Sequence, residues 1–282
     1  MCIRDSACGH DGHTAMLLGA AKYLSETRNF DGKVVVIFQP AEEGGAGAKE
    51  MCEDGLMSDF DISEVYGMHN APGLPVGQFN IRSGAFFAAA DQFTVNIQGK
   101  GGHAARPQET IDPTIVGAQT LIALQSVASR NTDPLKSLVV SVTSFRTESD
   151  SYNVIPQTVQ LKGTVRTLSK DVRDMAQEKI TQLIKNTGLA FGANVELDYD
   201  RGYPVMINSD LETSHMIKAA KNVAGDKNVD DNASQVMGAE DFSYMLEERP
   251  GAYIRVGNGN TCLLYTSPSP RDATLSRMPS SA

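Results

Sequence analysis

Residues 91–99, DQFTVNIQG, alternate apolar and polar side chains and mark a change in the pattern of the chain. Phe93, Val95 and Ile97 fall on one face of an extended backbone, which is typical of a strand that buries only that face. The elements that follow are a helix, two strands, a helix and a strand, at residues 112–130, 138–145, 159–167, 169–186 and 194–199. This β-α-β-β-α-β order is that of a ferredoxin-like unit, and it predicts a self-contained domain over residues 90–202.

Both helices of this unit have recognisable starts. Asp112 is placed to be an N-cap, with Pro113 as the first helical residue, and Ser169 is placed to cap the second helix. These residues fix where the two helices are expected to begin.

The sequence on either side of this unit predicts an α/β domain. Residues 33–40, KVVVIFQP, form a continuous apolar run, which is typical of a strand buried on both faces in a parallel sheet. Helical and strand-like stretches alternate around it, at residues 13–28, 46–54, 64–69, 78–83, 210–224, 240–247 and 252–256. We therefore expect a three-layer α/β domain built from residues 7–89 and 203–259, with the ferredoxin-like unit inserted as a satellite domain.

Composition excludes several classes of protein. The chain has 282 residues, with 25 Lys and Arg against 34 Asp and Glu, and its net charge of −9 argues against a nucleic-acid partner. No apolar run approaches the ~20 residues of a membrane helix, and no signal-peptide core is visible. The four cysteines show no CxxC pairing, which predicts no disulfide framework and a cytoplasmic location.

The two ends of the chain differ in character from the rest. Residues 1–6 (MCIRDS) and 261–282 lack hydrophobic periodicity, and the second segment is rich in Ser, Pro and Arg. This composition predicts disordered or non-native sequence, with a natural flexible tail as the alternative.

Three clusters of metal-type ligands lie in the α/β domain. Cys8 and His10 are separated by one glycine just before a helix, and thiolate with imidazole suits zinc or a similar ion. Glu42 and Glu43 follow the predicted buried strand, and His69 ends the next strand. Ligands gather at the carboxyl ends of strands in open α/β sheets. Adjacent carboxylates there can divide two roles, one binding metal while the other takes a proton from water.

Each cluster alone also has a structural interpretation. Cys8 and His10 could belong to a polar loop that starts a helix, and Glu42 and Glu43 could be solvated acids at a helix N-terminus. His69 could be a structural histidine. Because all three clusters converge on one edge of the predicted sheet, the sequence favours a catalytic metal centre.

The ferredoxin-like unit carries a second set of polar candidates. The glycine-rich segment GKGGH, residues 99–103, ends in His103, while Asn153 and Arg166 lie in or beside neighbouring strands. No GK[ST] follows, so the segment matches a phosphate-binding loop poorly. Together the three side chains could donate hydrogen bonds to a carboxylate or a developing oxyanion. The alternative is a turn histidine, a turn asparagine and a surface arginine with no shared role.

Seven motifs spread along the chain resemble those of the metal-dependent amidohydrolase and peptidase family of hippurate hydrolases, N-acyl-amino-acid amidohydrolases and auxin-conjugate hydrolases. They are, in order, CGHDGHTAMLLGAA, FQPAEEGGAGA, YGMHNAP, GKGGHAARP, NVIP, GTVRT and GAEDFS. The resemblance covers nearly all of residues 7–259. It implies a metallopeptidase-like catalytic α/β domain and a smaller satellite domain that mediates homodimerisation.

The resemblance also implies roles for the candidate residues. It implies a centre of two divalent ions, zinc or manganese with cobalt or nickel as alternatives, held by Cys8, His10, Glu43 and His69. Glu42 would be the general base. His103 of one subunit would complete the site of its partner, with Asn153 and Arg166 helping to hold the substrate. The implied reaction is hydrolysis of an N-acyl amino acid to a carboxylic acid and a free amino acid.

Two family features are not found in this sequence. No aspartate-rich motif of the family's type precedes Cys8, and no histidine follows His215. We therefore expect a chain that is truncated at both ends. If the aspartate-rich motif and the late histidine are essential for catalysis, the chain of this sequence would be an inactive fragment. The alternatives are a dipeptidase or a deacylase of diaminopimelate derivatives with the same fold, or a non-catalytic dimeric binding module.

Overall fold

The computed structural model describes residues 8–259, so the predictions for the two chain ends lie outside the described residues. Within this range the chain divides into two compact units. The first contains the described residues up to Gly84, Ile207–Ser234 and the described residues from Met245 onward. The second contains Ala85–Met206 and Gln235–Tyr244.

The helices and strands follow in chain order. The helices are α1 (His10–Thr27), α2 (Glu42–Gly45), α3 (Gly47–Glu53), α4 (Leu56–Asp59), α5 (Pro113–Ser126), α6 (Lys170–Phe191), α7 (Asp210–Ala224) and α8 (Ser243–Glu248). The strands are β1 (Val65–Ala71), β2 (Phe79–Asn80), β3 (Gly84–Phe87), β4 (Ala89–Gln98), β5 (Gly102–His103), β6 (Leu138–Thr147), β7 (Val154–Ile155), β8 (Thr158–Thr167), β9 (Asn194–Arg201), β10 (Met206–Asn208), β11 (Val229–Asp230) and β12 (Gly251–Gly257). Among residues 8–259, no helix has the length and hydropathy that a membrane span requires.

The second unit is a four-stranded antiparallel sheet with α5 and α6 packed against its core face. The strand order is β6-β8-β4-β9. The predicted strand at residues 91–99 is confirmed as β4, and its alternation buries Phe93, Val95 and Ile97 as expected. These side chains pack with residues of both helices, among them Val116, Leu124, Ala176, Ile180 and Ile184.

One of the two predicted caps is confirmed. The carboxylate of Asp112 accepts a hydrogen bond from the amide of Thr114 at 2.8 Å, and Pro113 is the first residue of α5. Ser169 occupies the N-cap position of α6, but its side chain makes no capping bond. The prediction of a Ser169 side-chain cap is therefore wrong.

The first unit contains a sheet with the strand order β1-β12-β2-β11. β1 and β12 are parallel, and they confirm the strands predicted at residues 64–69 and 252–256. α7 packs on this sheet, and the buried core there consists of Ile81, Ala220, Val229, Ala252 and Ile254. The strand predicted at residues 78–83 is reduced to the two residues of β2.

Residues 33–40 are not a strand, contrary to the prediction. Val34 is 49% exposed and Phe38 is 47% exposed, so the run is not buried on both faces. No strand between residues 8 and 259 pairs with this segment, so its backbone lacks the hydrogen-bond ladder that defines a strand. The mixed α/β class is confirmed, whereas the parallel sheet expected around this run is not formed by the described residues.

Candidate metal centre

The first candidate ligands come from the loop that leads into α1. Gly9 has a left-handed backbone conformation, with a φ of 83°, and α1 begins at the next residue, His10. A Cβ atom at Gly9 would lie 2.2 Å from Nδ2 of Asn70, so both the turn and the close approach require glycine. The loop places Cys8 at the start of α1, and His10 and His13 lie one helical turn apart on the same side.

The candidate carboxylates come from an irregular turn. Ala41 and Ala46 flank α2 with φ values of 52° and 51°, and Glu43 inside it departs from helical angles. The left-handed conformation is costly for alanine, so the surrounding structure must hold this turn in place. The turn brings Oε2 of Glu42 to 4.0 Å from Nε2 of His10.

His10 belongs to two groups of side chains whose ligand atoms lie within 4.8 Å of one another. One group consists of Cys8, His10 and Glu43, and the other consists of His10, His13 and His69. The structure therefore gathers all four predicted ligands, Cys8, His10, Glu43 and His69, around one residue. The predicted base, Glu42, lies beside them.

His13 belongs to the cluster although it is not among the ligands predicted from the sequence. Its ring centroid lies 4.4 Å from that of His69 and 5.6 Å from that of His10. The signal was present in the string HDGH, because residues three apart on a helix share a face.

Burial sets the protonation state of two of these histidines. It lowers the pKa of His13 to about 3, with the neighbouring His69 and His10 adding to the effect. Burial also lowers the pKa of His69, against the opposing effect of the Asn70 carbonyl. Both rings are neutral at pH 7, the form in which imidazole binds a metal. A thiol, neutral imidazoles and a carboxylate at these distances fit a divalent transition ion such as zinc.

His103 and Asn153 lie together on a two-stranded ribbon of the second unit. His103 in β5 pairs with Val154 in β7, and the amide of Ala104 donates to the carbonyl of Asn153 at 2.9 Å. His103 is exposed, and its Nδ1 accepts a hydrogen bond from the amide of Ala105 at 3.1 Å. The neutral ring therefore carries its proton on Nε2, where it can donate to a carboxylate or an oxyanion.

Arg166 lies far from His103 and Asn153 of the same chain. The ribbon strand β7 ends just before β8 begins at Thr158, and Arg166 is near the other end of β8. At about 3.3 Å per residue, Arg166 lies about 26 Å along the strand from Thr158. Its Nε donates to Oγ1 of Thr164 at 3.2 Å, and burial lowers the pKa of its guanidinium.

Comparison with known proteins identifies the family of this chain. The model of peptidase family M20/M25/M40 matches residues 5–273. The chain belongs to this family. A hippurate hydrolase of Campylobacter jejuni is 38% identical to it over 261 residues, which cover 93% of this chain. An N-acetyl-L-cysteine deacetylase of Bacillus subtilis is 40% identical over 252 residues, which cover 89% of this chain.

A solved structure of an M20 relative has the same fold. It is a dinuclear metal-binding peptidase from Bacillus subtilis, 33% identical, with a TM-score of 0.73 over 89% of this chain. The chain spans 68% of the length of the hippurate hydrolase, 59% of the deacetylase and 63% of the peptidase structure. The predicted family is confirmed, and the metal-dependent amidohydrolase class is confirmed at the level of that family.

Proposed function

We propose that this chain belongs to a metal-dependent amidohydrolase that cleaves the amide bond of N-acyl amino acids. The observation that carries the proposal is the cluster around His10, where thiol, imidazole and carboxylate groups lie within 4.8 Å of one another and Glu42 is adjacent. The names of two relatives specify hippurate and N-acetyl-L-cysteine, and both compounds are N-acyl amino acids.

The cluster would hold divalent metal. We propose two ions, as in the dinuclear peptidase relative, and zinc or manganese as the metal, with cobalt or nickel as alternatives. The proposed ligands are Cys8, His10, Glu43 and His69. When bound, the metal supplies Lewis-acid polarisation of the scissile carbonyl.

Glu42 is the general base in this proposal. A carboxylate at this position can take a proton from the attacking water and deliver it to the leaving amine as the C–N bond breaks. Its Oε2 atom is 4.0 Å from Nε2 of His10, so it borders the ligand cluster. Glu43 grouped with Cys8 and His10 supports a division of roles between the two adjacent carboxylates.

We further propose that His103, Asn153 and Arg166 hold the substrate in a homodimer. Arg166 is about 26 Å along β8 from the ribbon that carries His103, so one chain cannot bring both to one substrate through this sheet. A dimer removes the difficulty if His103 and Asn153 of one subunit complete the site of the other. Residues 90–202 would be the dimerisation domain, a ferredoxin-like satellite suggested by the order β6-β8-β4-β9, and residues 7–89 and 203–259 the catalytic domain.

Metal removal is expected to abolish hydrolysis. Treatment with a chelator should stop release of amino acid from hippurate and N-acetyl-L-cysteine, and Zn²⁺ or Mn²⁺ should restore it, because the ligand set is built for such ions. Dipeptides and a diaminopimelate derivative belong in the same panel, since the solved relative is a peptidase. Metal binding without turnover of any member, even by the product of the full-length gene, would contradict the proposed function and favour a binding module.

Two inactive chains are expected to restore activity when mixed. Glu42→Gln lacks the base and His103→Ala lacks the donor for the partner, so a mixed dimer has one intact site. Random exchange in a twofold dimer should restore about a quarter of the wild-type activity. The matched control mixes Glu42→Gln with Glu43→Gln, which leaves every site defective. Exchange of subunits without restored activity would contradict the shared site.

We also propose a cytoplasmic location. Its support is the cysteine usage of the sequence, which has four cysteines in 282 residues and no CxxC pairing.

A further inference from the structure

Asn70 connects three of the segments that meet at the candidate metal centre. It follows His69 at the end of β1, and its Nδ2 donates to the carbonyl of Cys8 at 2.5 Å. Its backbone amide donates to Nε2 of His13 at 3.0 Å. Its backbone carbonyl lies 2.7 Å from Nδ1 of His69. One residue thus contacts the loop before α1, the first turns of α1 and the end of β1.

These hydrogen bonds assign the ring protons of two histidines. A backbone amide can only donate, so Nε2 of His13 is the acceptor and its lone pair is already engaged. Nδ2 of Asn70 lies 3.0 Å from the same nitrogen and adds a second donor. A backbone carbonyl can only accept, so Nδ1 of His69 carries the proton and Nε2 of His69 presents its lone pair. His69 is therefore set to bind metal through Nε2, and His13 supports Asn70.

The packing around Gly9 supports the same role for Asn70. The Cα of Gly9 approaches so closely that a Cβ there would lie 2.2 Å from Nδ2 of Asn70. The loop that carries Cys8 and His10 is therefore seated directly on the Asn70 side chain.

We propose that Asn70, with His13 as its acceptor, is a positioning residue that holds the Cys8–His10 loop against His69 so that the ligands are aligned before metal binds. The inference rests on the proposed function, because it assumes that the cluster binds metal. Residues that orient metal ligands contribute substantially to affinity, and removing one costs about 10- to 100-fold in metal binding.

Asn70→Ala in the full chain tests the proposal by Co²⁺ titration, which reports affinity and, through thiolate-to-cobalt charge transfer, the coordination of Cys8. The variant keeps the backbone contacts and loses Nδ2, so we expect Co²⁺ affinity to fall about 10- to 100-fold. The control is Asn131→Ala, which also removes an amide-to-carbonyl bond, from Asn131 to Ser126. It should bind Co²⁺ like the wild-type chain. Unchanged affinity and absorption in Asn70→Ala would overturn the proposal.

His13 variants separate a positioning role from a ligand role. In His13→Gln, the side-chain oxygen can accept the hydrogen bond from the backbone amide of Asn70, so the Co²⁺ affinity should stay near that of the wild-type chain. Leucine cannot accept this bond, so His13→Leu should bind Co²⁺ more weakly. Equal loss in both would show that His13 is a ligand and overturn its assignment as a support.

Gly9→Ala provides a second test if Asn70→Ala does not fold. It should weaken Co²⁺ binding by displacing Nδ2, whereas Gly77→Ala, which places alanine at the same φ of 83° but with no atom within 4 Å of its Cβ, should not. Unchanged binding in Gly9→Ala would count against the proposal. A wild-type product of the full-length gene that bound Co²⁺ without hydrolysing any substrate would refute the proposed function alone. One that bound no Co²⁺ would refute both.

Discussion

Replacement of Glu42 by glutamine is expected to lower kcat by about 10²- to 10⁴-fold while leaving Zn²⁺ affinity close to that of the wild-type chain. Glutamine matches glutamate in shape but cannot take a proton from water at neutral pH. The carboxylate of Glu42 lies 4.0 Å from Nε2 of His10, at the border of the cluster formed by Cys8, His10 and Glu43. Steady-state hydrolysis of hippurate measures kcat, and calorimetric titration measures the affinity for Zn²⁺.

Glu43→Gln is the matched control, since it makes the same chemical change one residue away. If Glu43 is a ligand, this variant should lose Zn²⁺ affinity, and excess Zn²⁺ should recover part of its activity. Excess Zn²⁺ should not rescue Glu42→Gln, because its defect is in proton transfer. The assignment of the base fails if Glu42→Gln keeps its kcat, or if added metal restores it.

The elements that sequence predicted well are those whose signals are local. The alternation of Phe93, Val95 and Ile97 specifies a face of β4, and Asp112 satisfies an amide of its own helix. The apolar run at residues 33–40 was misleading because a strand also needs a hydrogen-bonded neighbour. An apolar run does not say where in the chain that neighbour is.

The candidate site was predictable in outline because its ligand types follow one another at loop and strand ends. The residues that position these ligands were not predictable. Asn70 acts through the carbonyl of Cys8, 62 residues away in sequence, and no local pattern encodes that contact. The partner of Asp91 was not predictable for the same reason. Asp91 shares the inward face of β4 with Phe93, and its carboxylate accepts a hydrogen bond from Arg173, 82 residues later in sequence.

Replacement of Arg173 by methionine is expected to lower the free energy of unfolding of the second unit by about 3–5 kcal/mol. Asp91 is 1% exposed and Arg173 is 8% exposed. The guanidinium donates to both carboxylate oxygens of Asp91 and, at 2.8 Å, to the carbonyl of Gly202, while the hydroxyl of Tyr199 donates to Asp91 at 2.8 Å. Methionine fills similar space but leaves a buried carboxylate without its counter-charge.

Urea unfolding followed by circular dichroism measures this loss as a lower midpoint of the transition that includes the second unit. Lys170→Met is the matched control, because it removes an exposed cation of the same helix, paired with Asp174 at 3.3 Å, and should leave the midpoint nearly unchanged. Adding Asp91→Asn to Arg173→Met should recover part of the stability, since a neutral amide is less costly to bury than a lone carboxylate. If Arg173→Met unfolds like Lys170→Met, the pair contributes little. In that case the backbone ladder between β4 and β9 and the apolar core under α6 account for the packing of these elements.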